Sequence, residues 1–205
     1  MEKLKTENTD LEILNAAKEI FQQKGMAGAR MQEIADKAKI NKALLHYYYR
    51  SKQLLFEAVF KSAFLLLAPQ LNKVLNDDCD LFEKIENFTE SYVSFVVKHP
   101  FLPNFVIQEL NKNPDFMKKL RAQKNFPSIN KFSLQVEESI TKGIIRPIEA
   151  EQLLINILSL NIFPFIGQPL LMALINVDKE KYNKILLNRK NEVAAFIINS
   201  IKIRK

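Results

Sequence analysis

Glycine occurs only four times in the 205 residues, and that scarcity is the tightest constraint on the fold. Two-residue hairpin turns and phosphate-cradling loops both depend on glycine for positive φ and close backbone approach. A β-sandwich and a glycine-loop nucleotide fold are therefore disfavoured. The chain is dominated instead by helix formers such as Leu, Lys, Glu, Ala and Gln. Prolines at 100, 103, 114, 127, 147, 164 and 169 punctuate its second half. It holds no strand-like alternation, internal repeat or low-complexity segment. The expected fold class is all-α.

At 47% hydrophobic and 26% charged residues the chain can build a core, which argues against disorder. Its formal net charge of +7 permits a polyanionic partner without requiring one. Cys79 is the one cysteine, so no intrachain disulfide can form, which fits a reducing compartment. The N-terminus is polar as far as Asp10, unlike a signal peptide. The greasiest run, 63–68, is far short of the roughly 20 residues a bilayer span needs. A cytoplasmic location and no membrane partner are expected.

Residues 1–8 read as a charged, frayed tail. Thr9 and Glu12 read as a capping box that opens a helix, with Ile13, Ala16, Ala17, Ile20 and Phe21 on one apolar face and Gly25 as its stop. A short helix fits 31–38, with Met31, Ile34, Ala35 and Ala38 facing inward. Lys39-Ile40-Asn41 interrupts it, and Asn41 is placed to cap a third helix over 42–49. Ser51 is placed to cap a fourth, running to Pro69. Longer helices are expected over 80–98, with Asp80 as N-cap, and over 101–111, 115–121, 127–142, 149–165 and 178–203. The helices turn from short and basic to long and rich in Phe, Leu and Ile near 50–70. Two domains are expected, 1–50 and 51–205.

Two short helices joined by a tight turn are the plan of a helix-turn-helix, whose second helix enters the major groove of DNA. In 42–49, Leu45 and Tyr49 are four apart and can face inward, which leaves Lys42, His46, Tyr47 and Tyr48 outside. Between residues 30 and 52, Arg30, Lys37, Lys39, Lys42, Arg50 and Lys52 stand against Glu33 and Asp36, a net charge of +4. Lys52 opens the fourth helix, where its ammonium and the backbone N–H groups can hold a phosphate.

Here the sequence resembles the DNA-binding head of TetR-type repressors. The resemblance covers 9–56 without gaps. It rests on Ile13-Leu14, Ala16-Ala17, Phe21, Gly25, Ile34-Ala35, Ala38, Ile40-Asn41-Lys42-Ala43, Leu45-His46-Tyr47-Tyr48-Tyr49 and Arg50-Ser51-Lys52. It implies DNA contacts at Gln32, Lys42, Ala43, His46, Tyr47, Tyr48 and Lys52. Gln32 suits an adenine edge, Lys42 suits guanine acceptors, and Ala43 lets the helix approach a thymine methyl. Tyr47, Tyr48 and Lys52 suit phosphate. There are departures: Arg30 stands where the family usually has a hydroxyl cap, Lys39 where it has a turn glycine, His46 where it has tyrosine and Tyr49 where it has phenylalanine. A left-handed Lys39 would cost about 1 kcal/mol.

The resemblance further implies a homodimer on double-stranded operator DNA and a helical body with a small-molecule pocket, releasing the DNA when a hydrophobic effector binds. The dimer helices expected are 149–165, through Leu153, Leu154, Ile157, Leu158 and Leu160, and 178–203, through Ile185, Leu186, Val193, Phe196, Ile197 and Ile201. Phe64, Phe95, Phe105, Phe116, Phe132 and Phe163 supply an apolar pocket lining. No enzyme, cofactor or metal is expected. The histidines, His46 and His99, are far apart, Asp77, Asp78 and Asp80 lack a glycine-centred calcium pattern, and no nucleophile–base pair stands out. The rival readings are a helical adaptor with a basic head and a DNA-binding regulator without a ligand.

Overall fold

The computed structural model describes residues 2–100, 102–112 and 126–203, with positions 115, 118 and 121 between them. The described residues form ten helices and an isolated bridge between Ile145 and Lys202, with no strand. The helices are α1 (Glu2–Gly28), α2 (Met31–Lys37), α3 (Lys42–Tyr48), α4 (Lys52–Asn76) and α5 (Leu81–Lys98), then α6 (Leu102–Lys112), α7 (Asn130–Thr141), α8 (Ala150–Ile166), α9 (Gln168–Ile175) and α10 (Lys179–Ile201). Phe116 and most of the expected helix over 115–121 lie outside the described residues. The chain divides into two compact units, Met1–Leu66 and Leu67–Lys205.

In the first unit the apolar face read from the sequence is the buried one: Ile13, Ala16, Ala17, Ile20 and Phe21 are all core. The frayed tail and the Thr9 capping box are not observed, because α1 is helical from Glu2 and Thr9 lies inside it. Residues 2–9 contain no glycine or proline to stop a helix. Gly25 breaks α1 rather than ending it. Its φ of 64° and ψ of 176° lie where essentially only glycine goes. Open space surrounds the position of a Cβ there, so backbone conformation, not packing, calls for glycine.

The second unit is organised around α8, which packs against α5, α6, α7, α9 and α10, while α5 and α10 form its most extensive pairing. Leu153 and Ile157 of α8, Phe88, Tyr92 and Val96 of α5, and Leu186, Val193 and Ile197 of α10 are buried. Asp80 caps α5 as expected, its carboxylate accepting from the N–H groups of Phe82 and Glu83 at 2.9 and 3.0 Å. Pro69, expected to end the fourth helix, lies inside α4, and Pro164 lies inside α8, within the helix expected over 149–165. The α9 helix has no counterpart in the sequence reading. Pro169 sits in its first turn, where the missing N–H costs nothing.

No single described helix is long and apolar enough to cross a membrane. The α8–α9 pair is apolar enough when combined, but it is bent by 77°. No group of three His, Cys, Asp or Glu residues that could hold a metal ion occurs among the described residues.

Candidate nucleic-acid interface

The turn between α2 and α3 is built from backbone hydrogen bonds. The N–H of Ile40 donates to the Ala35 carbonyl at 3.0 Å and that of Lys39 to the Asp36 carbonyl at 3.1 Å. This paired closure of a helix C-terminus needs a left-handed residue between, and Lys39 supplies it at φ 55°. Lys39 therefore carries the strain that a glycine would avoid. The chain then turns straight into α3, whose N-cap Asn41 accepts from the Leu44 N–H at 2.7 Å. Arg30, at the N-cap of α2, gives no side-chain cap bond.

Burial orients both helices. Ile34, Ala35, Ala38 and Leu45 are in the core, while Gln32, Lys42, Ala43, His46 and Tyr47 are exposed. Lys42 and His46 form one row along α3, and Ala43 and Tyr47 the next, because residues four apart share a face. The Tyr47 ring is 80% exposed. Tyr48 is half-buried, with its ring edge-on to Tyr47 at 5.7 Å. Gln32 donates its amide to Asp36 at 2.8 Å within α2.

The local acids are largely matched. Lys24 pairs with Glu33 at 3.0 Å and Lys37 with Glu19 at 2.6 Å. The hydrogen bond from Lys24, reinforced by its charge, holds the Glu33 carboxyl below the usual carboxylate range. Asp36, which accepts from Gln32, is the carboxylate next to this face that these pairs leave without a cation.

Lys52 does something the sequence did not suggest. Its ammonium donates to the carbonyls of Ala29 and Ala27, at 3.0 and 3.3 Å. It thereby ties the end of α1 to the start of α4, and since an ammonium carries three donors, one remains for a phosphate. Ser51 caps α4 as expected, its hydroxyl accepting from the Leu54 N–H at 3.2 Å. Two further features were missed. Leu44, 37% exposed, lies beside Ala43 and suits contact with a thymine methyl. Tyr49 reaches back to Asp10 across 39 positions, with its hydroxyl 2.7 Å from the carboxylate. Only the aromatic position four beyond Leu45 was legible in sequence, not the polar partner.

A helix-turn-helix with an exposed cationic and aromatic second helix, in a chain whose other described elements are all helices, defines a DNA-binding head on a helical body. The family model for bacterial regulatory proteins of the tetR family matches residues 13–59. The head of this chain is thus similar in sequence to the DNA-binding head of the tetR family. It is 27% identical over 137 residues to the HTH-type transcriptional repressor NicS of Pseudomonas putida, covering 66% of this chain and 59% of that one. It is 34% identical over 103 residues to the HTH-type transcriptional repressor SCO4008 of Streptomyces coelicolor, covering 50% of each. The matched stretches thus span little more than half the length of these relatives. The fold is shared with a TetR-family transcriptional regulator of Haemophilus influenzae, with a TM-score of 0.66, 16% identity, and 97% of this chain and 98% of that one covered.

Proposed function

We propose that this chain is a one-component transcription regulator, a repressor, that binds a near-palindromic operator as a homodimer and is released by a small hydrophobic ligand. The observation that carries the reading is the outward face of α3. Lys42, Ala43, His46 and Tyr47 are all exposed, while Leu45 behind them is fully buried. The contact residues are Gln32, Lys42, Ala43, His46, Tyr47, Tyr48 and Lys52, with residues 1–50 as head, 51–205 as regulatory and dimer-forming body, and the cytoplasm as its location. The repressor sign is taken from NicS and SCO4008, both of which are repressors.

The dimer surface consists of what α8 and α10 leave uncovered. Of the residues first expected there, Leu153, Ile157, Leu186, Val193, Ile197 and Ile201 are buried within their own chain, and Leu154, Leu158 and Leu160 are half-buried. Ile185 and Phe196 remain exposed on one side of α10, joined by Ile155 and Phe163 of α8. A two-fold axis through such a face pairs it with itself.

The ligand reading is supported by the body's interior. Tyr92 and Asn161 are each 1% exposed, and the Tyr92 hydroxyl and the Asn161 Oδ1 have no hydrogen-bond partner among the described residues. A buried polar atom left unpaired costs about 1–3 kcal/mol, and a ligand group that satisfies it recovers that cost. Of the expected aromatic lining, Phe132 is buried and Phe95 and Phe105 are half-buried in this unit, Phe64 is buried in the other, and Phe163 is exposed.

Selection of duplexes from a random library by the purified chain tests the proposal. Recovery of a near-palindrome, with two half-sites set by the spacing of two heads, is expected. Recovery of sequences with no common element, or no salt-dependent binding, would overturn it.

A further inference from the structure

Helix α3 has seven residues, too few to hold a helix in water unaided. Local caps therefore fix its ends, and tertiary contacts must fix its orientation. At the N-terminus, Asn41 closes on the Leu44 N–H at 2.7 Å. In the middle, Leu45 is fully buried. At the C-terminus, Tyr49 leaves the helix with φ −131° and ψ 100°, and its N–H donates to the Leu45 carbonyl. Its half-buried side chain then donates to the Asp10 carboxylate on α1 at 2.7 Å.

Leu45 alone allows the helix to roll about its own axis, because one apolar contact has no directional preference. The hydroxyl–carboxylate bond does have one. A roll moves Lys42, His46 and Tyr47 sideways against any base edge. A shift of about half an ångström is enough to carry a hydrogen bond out of its normal distance range. We infer that Tyr49 and Asp10 form a positioning pair: their bond fixes the rotation of α3 and so sets sequence selectivity without either residue touching DNA. Burial and the neighbouring Asp10 carboxylate both push the Tyr49 hydroxyl's pKa up, so it remains a donor at working pH. The inference rests on the DNA-binding reading of α3.

The test compares the wild-type chain with Y49F, D10A, D10N and Y49F/D10A. Each is titrated against the selected operator and a random duplex at two salt concentrations, after stoichiometric titration of the active fraction. Circular dichroism fixes a temperature at which every variant is folded. Y49F should lose about tenfold in operator affinity, the order of one hydrogen bond to a charged acceptor, with random-duplex affinity and salt slope unchanged. D10A removes a negative charge and strengthens binding to both duplexes alike, so it is read as the operator-to-random ratio, which should fall as in Y49F. D10N keeps an acceptor oxygen and should keep the ratio. The double variant should fall no further than either single one. An unchanged ratio in Y49F, additive losses in the double variant, or equal losses on both duplexes would overturn the pair. A wild-type chain that selects no operator would overturn the DNA-binding reading, and the inference with it. The two failures are distinct, since the first requires a selective wild type.

Discussion

The guanidinium of Arg189 donates to the backbone carbonyl of Leu160 at 2.6 Å, the carbonyl left without a helical partner. The residue four ahead, which would supply the N–H, is Pro164. Tyr182 makes a second stitch from α10, its hydroxyl donating to the Pro164 carbonyl at 2.7 Å. An internal proline normally costs about 3 kcal/mol, and here side chains of the neighbouring helix take over part of the backbone's bonding. Arg189→Ala should therefore cost about 1–2 kcal/mol, the lower part of the penalty for an unpaired acceptor, because this bond is part-buried. Pro164→Ala restores the N–H, so Arg189→Ala in that background should cost about 1 kcal/mol less. Urea unfolding of the four chains reads the coupling, and strictly additive losses would contradict this account.

Lys42 and Lys52 should separate under mutation. Lys42 is exposed at the start of α3, so Lys42→Ala should leave stability within about 0.5 kcal/mol. It should cost about 1–3 kcal/mol on the operator and much less on random DNA. Lys52 binds the Ala27 and Ala29 carbonyls. Lys52→Ala should lower the urea midpoint, weaken binding to all duplexes alike, and flatten the salt dependence by about one unit of slope. A sequence-dependent loss at Lys52, or a uniform one at Lys42, would reverse the assignment.

Phe196 is 65% exposed on α10, one residue before Ile197, which is 2% exposed. Phe196→Lys should leave the fold intact and shift the ultracentrifugal mass from dimer to monomer. Ile197→Lys should unfold the chain, because it forces an unpaired charge into the core. A dimer that survives Phe196→Lys unchanged would move the two-fold contact elsewhere.

Lys84 is 1% exposed, and its ammonium donates to the Asp77 carbonyl at 2.7 Å. Burial is the main cause that pulls its pKa below the ordinary lysine value, and Lys131 pulls the same way. The unfolded chain then holds the proton more tightly than the folded one. Between the lowered value and the ordinary value of about 10.4, stability from this group rises with pH; below that window its cost is constant. The stability of the wild type relative to Lys84→Met should therefore increase as pH is raised into the alkaline range. A difference that stays flat or declines there would show that the ammonium is not penalised by burial.

The sequence by itself determined the helical class, the two short helices and their turn, the caps at Asn41, Ser51 and Asp80, and which faces of α1 to α3 are buried. Each of these is set by residues within about a turn of one another, through periodicity, capping oxygens or a breaker. The left-handed Lys39 was legible for the same reason. The tertiary structure alone decided the rest, because the partner in each case lies far away in the chain. Pro164 reads as a lost N–H near a helix end until Arg189 and Tyr182 arrive from α10. Lys52 reads as a free cation until the end of α1 presents the Ala27 and Ala29 carbonyls. Leu186 and Phe196 read as the same apolar stripe until packing buries one and exposes the other. Tyr49 reads as a core aromatic until Asp10 meets its hydroxyl. Periodicity records how apolar a position is but not which neighbour covers it, and polar pairing depends on distances that only the packed helices fix.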